Sequence, residues 1–349
     1  MRRGVTRRVL LSGGAAVVAA PAAFYALDPF AGPRYRGPIS DHFDGARFHN
    51  LAPFPLHSFG DFVRWKRTAQ PGYWPEWIDA KPGAAPPARA GDLRITLVNH
   101  STVLVQAAGA NLLTDPIWSD RASPVSWAGP RRRRAPGLRF EDLPPIDAVL
   151  VSHNHYDHLD LATLDRLAKR GAAFSVPLGN AALLESRRIA PVAELDWWQS
   201  IEVAGARITA VPAQHFSGRG LRDRNATLWC GYVIESRAGA VYFAGDTGWG
   251  PHFARIRERW PAIRLALLPI GAYRPAWFMS PLHLSPDDAA RAHTALGAAV
   301  SVPIHYGAFA LGDDGEREPL DDLGRALEAN RSARFQVLPF GQGWDVPAA

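Results

Sequence analysis

Four side chains able to bind a cation fall within six positions: His153, His155, Asp157 and His158, in the run Val149-Leu150-Val151-Ser152-His153-Asn154-His155-Tyr156-Asp157-His158. Imidazole nitrogen and carboxylate oxygen are the ligands that a borderline cation such as zinc accepts in a catalytic site. His153 and His155 alternate along the chain and can point to one side. Asp157 and His158 follow after the chain has turned and can face a second ion. Two cations held about 3.5 to 4 Å apart lower the pKa of a bridging water and neutralise charge on a transferring phosphoryl group. The run therefore reads as the nucleus of a two-metal hydrolytic site. A structural zinc would ask for a closed, cysteine-rich cage, and the chain has one cysteine, Cys230.

Such a run needs a rigid element to aim it. Residues 147–151 are short, apolar and β-branched and follow Pro144-Pro145, which predicts a buried strand with the histidines on the loop at its carboxyl end. That is where open α/β architectures place their sites. The same arrangement recurs downstream. Residues 203–211 predict a hairpin or strand pair leading to Pro212-Ala213-Gln214-His215. Residues 228–235 and 240–244 predict a hairpin joined by Ser236-Arg237-Ala238-Gly239, and its second strand delivers Gly245-Asp246-Thr247-Gly248. Flanking glycines would let Asp246 approach metal closely and bridge two ions. Residues 298–304 predict a last buried strand before His305-Tyr306-Gly307.

Residues 93–98, 102–106 and 111–114 predict a β-meander, with His100 and Asp115 at strand ends. Each of the two is either a partner that orients a ligand histidine or an ordinary turn residue. Helices are predicted over 161–170 and 181–189 and from a Ser285 cap with Pro286, Asp287 and Asp288; strands are predicted over 173–176 and 265–270. Strand and helix alternate, so the class is α/β.

The ends of the chain are of another kind. Residues 1–27 pair Arg2-Arg3 and Arg7-Arg8 with an apolar stretch and Ala20-Pro21-Ala22, which predicts a twin-arginine-type signal for export to the periplasm or the outer face of the cytoplasmic membrane; a membrane anchor is the alternative. The net charge is +6, and the first 22 residues hold four arginines and no acid, so the rest carries +2. Nucleic acid is excluded as the expected partner. Residues 28–91 form an aromatic and Pro-rich arm (Phe43, Phe48, Phe54, Phe59, Phe62, Trp65, Tyr73, Trp74, Trp77), to be packed on the core or turned to a membrane in peripheral contact. Residues 81–87 read as a linker, and 92–349 as the hydrolase domain. Arg131 to Arg134 is a solvated face by default, or a site for an anionic partner. His42, His49, His57, His252 and His293 read as structural.

The His153-x-His155-x-Asp157-His158 run resembles the signature of the metallo-β-lactamase superfamily, which implies an αββα sandwich of two mixed sheets flanked by helices. Further stretches sharpen the likeness: Leu113-Thr114-Asp115-Pro116-Ile117, Arg121-Ala122-Ser123-Pro124, Leu195-Asp196-Trp197-Trp198, Phe243-Ala244-Gly245-Asp246-Thr247-Gly248, Pro269-Ile270-Gly271-Ala272-Tyr273 and Ile304-His305-Tyr306-Gly307-Ala308-Phe309. Over roughly residues 92–340 the chain is similar to the N-acylphosphatidylethanolamine-hydrolysing phospholipase D family. That resemblance implies two Zn2+ per chain, other divalent transition metals being able to occupy the same cage. One ion would sit on His153, His155 and His215, the other on Asp157, His158 and His305, with Asp246 between them. Asp157, His283 and Tyr156 become the candidate catalytic residues, the last two as hydrogen-bond donors to phosphoryl or leaving-group oxygen. The implied substrate is a phospholipid or another phosphodiester or ester. A lactonase or small-molecule phosphodiesterase on the same site is the alternative, then a non-catalytic envelope-associated binding protein. A homodimer is left open. Tyr306 replaces an expected tryptophan and Leu282 an expected polar residue.

Overall fold

The computed structural model describes residues 28–54 and 57–348. The expected signal or anchor at 1–27 lies outside the described residues, and among these no helix is long and apolar enough to cross a membrane. Strands β1 (Leu93–Asn99), β2 (Thr102–Ala107), β3 (Ala110–Thr114), β4 (Ala148–Leu150), β5 (Ala173–Pro177), β6 (Val192–Leu195) and β13 (Gly343–Asp345) form one sheet in the order β13-β1-β2-β3-β4-β5-β6. Strands β7 (Ser200–Val203), β8 (Ala206–Val211), β9 (Gly231–Ser236), β10 (Gly239–Phe243), β11 (Ile263–Pro269) and β12 (Ala298–Ile304) form the second, ordered β12-β11-β10-β9-β8-β7. Both sheets are mixed: antiparallel hairpins give way to parallel pairing from β3 to β6 in the first and from β10 to β12 in the second.

Strand periodicity builds the layers. In the first sheet Val103, Leu112 and Leu150 point into a core shared with Ile208, Tyr232, Val241 and Leu265 of the second. Their neighbours Leu104, Leu113 and Val149 point the other way, onto Leu164 and Leu167 of the helix Leu161–Ala168 and Leu184 of the helix Ala181–Glu185. On the far side the helix Pro286–Leu296 lies against β11 and β12. In chain order the helices are α1 (Phe59–Thr68), α2 (Leu161–Ala168), α3 (Ala181–Glu185), α4 (His252–Arg259), α5 (Ala276–Met279), α6 (Pro286–Leu296) and α7 (Glu318–Ala329). The order of layers is helix, sheet, sheet, helix.

Most expected elements appear within a residue or two of their ranges. The helix expected over 181–189 stops at Glu185, because Arg188 turns left-handed (φ 60°) ahead of Pro191. Helix α6 starts as its cap predicted, with Ser285 and Asp288 in a reciprocal capping box, and ends at left-handed Gly297.

The arm packs on the core through some of its rings and leaves others exposed. Phe43 and Phe48 are buried in the inter-sheet core, and Trp65 is buried with its Nε1 donating to Asp313 Oδ1 at 2.9 Å. Phe59, Phe62, Tyr73 and Trp77 are exposed. The solvated face expected of Arg131 to Arg134 is met by Arg131 but not by the three arginines after it. Arg132 is buried, donates to the carbonyls of Ser119 and Ile117 and lies over the ring of Phe309; Arg134 pairs with Glu316; Arg133 reaches the carbonyl of Glu76. Arg132 over Phe309 and Arg134 with Glu316 tie the loop to the segment after β12, while the bonds to the carbonyls of Ser119, Ile117 and Glu76 hold it to the segment after β3 and to the arm.

Candidate active site

Loops at the carboxyl ends of four strands meet above the two sheets. β4 leads to His153, His155, Asp157 and His158; β8 to His215; β10 to Asp246; β12 to His305. His100 comes from the β1–β2 turn, Asp115 from the end of β3, and His283 from the loop between α5 and α6.

The backbone is bent to bring them there. His100, Asp115 and His305 hold left-handed backbone, with φ of 48°, 32° and 60°. For residues with a Cβ this costs about 1 to 3 kcal/mol each and persists only where the surroundings fix it. Gly245 is left-handed too (φ 59°), and a Cβ there would lie 2.6 Å from that of Ser152, so glycine is what lets the β10 loop close on the β4 loop.

Two groups of ligand atoms result. Nε2 of His153 and Nε2 of His215 lie 2.8 and 3.4 Å from Nδ1 of His155. In the second group Oδ2 of Asp157 lies 2.9 Å from Nε2 of His100, 3.1 Å from Nε2 of His158 and 3.4 Å from Nε2 of His305. Oδ2 of Asp246 sits between the groups, 3.2 Å from His158, 3.1 Å from His305 and 3.7 Å from His215. His283 is drawn in as well, its Nδ1 3.9 Å from that oxygen.

The outward nitrogens determine what the inward ones can do. His215 Nδ1 donates to the carbonyl of Leu282 at 2.9 Å and His158 Nδ1 to Asp115 at 2.6 Å, so in each neutral ring Nε2 presents a lone pair to the interior. Asp115 also accepts from the amide and the hydroxyl of Ser152, both at 2.6 Å. The sequence left Asp115 and His100 open between orienting partner and turn residue; the structure places both in contact with the cluster. The arm contributes Asn50, which donates to the main-chain carbonyl of His215 at 2.8 Å and accepts its amide at 3.0 Å. Nothing in sequence pointed to Asn50. The separation of 165 positions hides the pair.

The residues fit a divalent cation. Nε2 of His158, Oδ1 of Asp246, Nδ1 of His283 and both ring nitrogens of His305 are buried without a hydrogen-bond partner, and such atoms are rare where no ion or water serves them. Electrostatics agree. Burial depresses every histidine here, leaving His155 and His283 at about 4, and His153 and His215 well below the usual range. Burial acts on His158 and His305 too, but Asp246 and Asp157 outweigh it: His158 is well above the usual range and His305 rises to about 9. Burial of Asp246 and partial burial of Asp157 act against their charge, but His158 and its neighbours outweigh this and hold both carboxyls well below the usual range, so both stay ionised. The carboxylates thus draw positive charge to the place where the ligand atoms converge.

Tyr156 takes a different course. Its ring lies under the Arg219 guanidinium at 3.9 Å and lines a cavity of about 790 Å³ beside the cluster, along with Asp160, Arg121 and Pro124. The five histidines read as structural are spread elsewhere: His42 pairs with Asp41 and Asp196, His49 with Asp44, His252 meets Thr247, His293 meets Ser301, and His57 stacks on Phe278.

Comparison with known proteins agrees with this geometry. The Beta-lactamase superfamily domain matches residues 110–306. An uncharacterized protein of Mycobacterium tuberculosis is 42% identical over 267 residues, covering 74% of this chain and 71% of its own length. The N-acyl-phosphatidylethanolamine-hydrolyzing phospholipase D 1 of Caenorhabditis elegans is 38% identical over 267 residues, 72% of this chain and 75% of that protein. Among solved structures, a metallo hydrolase of the archaeon Ignicoccus hospitalis shares the fold with a TM-score of 0.55 at 24% identity, over 72% of this chain and 98% of that one. With the sandwich, the strand-end histidines and these relatives together, the chain belongs to the metallo-β-lactamase superfamily and is a metal-dependent hydrolase.

Proposed function

We propose that the protein is a zinc-dependent phosphodiester hydrolase that cleaves N-acylphosphatidylethanolamine to N-acylethanolamine and phosphatidic acid. The observation that carries this is the placement of Asp246 between the two ligand groups, in a chain 38% identical to a nematode phospholipase D that hydrolyses that lipid. His153, His155 and His215 would hold one ion, Asp157, His158 and His305 the other, and Asp246 both. Bound there, a pair of zinc ions would supply Lewis acidity toward phosphoryl oxygen and a water acidic enough to attack near neutral pH.

The chain's own residues do the rest. Asp115 and the Leu282 carbonyl hold His158 and His215 in the tautomer that turns Nε2 inward. His100 fixes Asp157 through Nε2. His283, neutral because burial holds it at about 4, has Nδ1 free, and serves as a hydrogen-bond donor to phosphoryl oxygen rather than as a cationic acid. In the net reaction the bond between phosphorus and the ethanolamine oxygen breaks, the water oxygen stays on phosphorus, and a water proton ends on the leaving alkoxide. The exposed rings of Phe59, Phe62 and Trp277, interleaved with Arg64 and Lys66, suit a substrate held in a membrane.

The test is mass-spectrometric analysis of products from the metal-assayed protein given N-acylphosphatidylethanolamine. Release of N-acylethanolamine with two zinc ions per chain is the expected result. Two metals with no lipid cleaved would sink the lipid reading and point to soluble esters or phosphodiesters.

A further inference from the structure

The cluster is accessible on one side. His153, His158, His215, Asp246 and His305 are buried, whereas His155, Asp157 and His283 are half-buried, and the half-buried rings of Tyr156 and Phe216 lie beside them. Phe216 packs directly on the site, its centroid 4.4 Å from that of His155 and 5.0 Å from that of His215. Each of these two rings has a guanidinium over it: Arg219 over Tyr156 at 3.9 Å and Arg224 over Phe216 at 4.6 Å.

The two arginines differ in what they hold. Arg219 donates to the carbonyls of Asn154 and Leu159, at 2.8 and 3.0 Å, and closes a loop. Arg224 makes one long contact, Nη1 to the carbonyl of His57 at 3.4 Å, while its Nε and Nη2 are buried with no partner. Among the described residues no carboxylate lies within ion-pair distance of it, and the neighbouring charge that acts on it is another cation, Arg47. A half-buried guanidinium with two idle donors and no counter-charge is costly to the free protein. Its planar fork of N–H groups matches phosphoryl oxygen.

We propose that Arg224 is an anion-recognition residue at the mouth of the site, donating to a phosphoryl oxygen of the substrate or of the product. This rests on the phosphodiester reading for its biological ligand. The donors belong either to the diester before cleavage or to the monoester after it, and the two have different charge.

The test uses the full-length, metal-loaded protein and equilibrium titration with dimethyl phosphate and with methyl phosphate, comparing native protein with Arg224→Met, which keeps the stem but not the charge, and Arg224→Lys, which keeps the charge. Loss of a charge-assisted hydrogen bond should weaken binding in Arg224→Met by about tenfold or more, with Arg224→Lys recovering part of it. Loss on dimethyl phosphate assigns the contact to the substrate, and loss on methyl phosphate alone assigns it to the product. The melting temperature of Arg224→Met should equal or exceed the native value, since an unpaired cation has been removed. Affinities within twofold of native for both ligands would overturn the proposal, as would an Arg224→Lys variant no better than Arg224→Met. Binding is read without turnover, so a protein inactive on N-acylphosphatidylethanolamine still tests Arg224.

Discussion

Asp115 uses two oxygens to hold the amide and hydroxyl of Ser152 and the Nδ1 proton of His158, and through them it sets where the β4 loop begins and which nitrogen of His158 faces inward. Asp115→Asn would present an amide N–H to one of these donors and free the ring of His158. We expect metal affinity in a chelator competition to fall about 10- to 100-fold, with the fold retained by circular dichroism. Unchanged affinity would mean that the ring is held by packing alone. At this scale the sequence was informative wherever ligands share a run or end an apolar strand: His153 to His158, His215, Asp246 and His305 could all be picked out. It was ambiguous for Asp115 and His100, whose partners lie 43 and 57 positions away, and silent on Arg224, since exposed and unpaired arginines look alike in a sequence. The arginine run misled in the opposite sense. Arg132 has the composition of a solvated face but is buried on carbonyl acceptors that only the folded chain supplies.

The elements were legible in proportion to how much their own residues decide them. β12 and the start of α6 follow from an apolar run broken only at Ser301 and from a serine cap. β13 is three residues long and exists because β1 offers it an edge, so it leaves little periodic trace. The arm shows the same dependence. It is held in part by His42, which stacks on Trp197 with centroids 4.4 Å apart and bridges Asp41 to Asp196 at the end of β6. Burial lowers the pKa of His42, but its hydrogen bonds to Asp196 and Asp41 outweigh that, and the net shift is upward. A raised folded value means that this clasp stabilises fully below the unfolded pKa of about 6.5 and loses its effect as pH climbs through the folded value. Melting temperatures of native protein and His42→Ala should therefore differ most near pH 5.5, and the gap should narrow in mild alkali to what the lost stacking on Trp197 leaves. A gap that is constant with pH would rule out the charged form as the source.

For the whole molecule, the site is a concentration of charge in a buried place, and the cation and the proton compete for it. Without a cation His158 and His305 hold protons that Asp246 and Asp157 favour. Loading must expel them, so metal affinity should rise with pH, by about tenfold per unit for each proton released, until His305 titrates near 9. Chelator competition at three pH values measures this, and a flat profile would contradict it. Stripping the metal should also lower the melting temperature, because the ion binds the native state in preference to the unfolded one. The α/β class was legible from the alternation of strand and helix, and the two-sheet sandwich from the resemblance carried by the His153 to His158 run. The relation of arm to domain was not. A boundary drawn at residue 92 from composition separates Asn50 from the histidine backbone it braces on both sides, at the carbonyl and the amide of His215. The amino-terminal arm is therefore not a detachable module at this point: removing it would take away the side-chain amide that anchors the loop after β8 on both sides of His215.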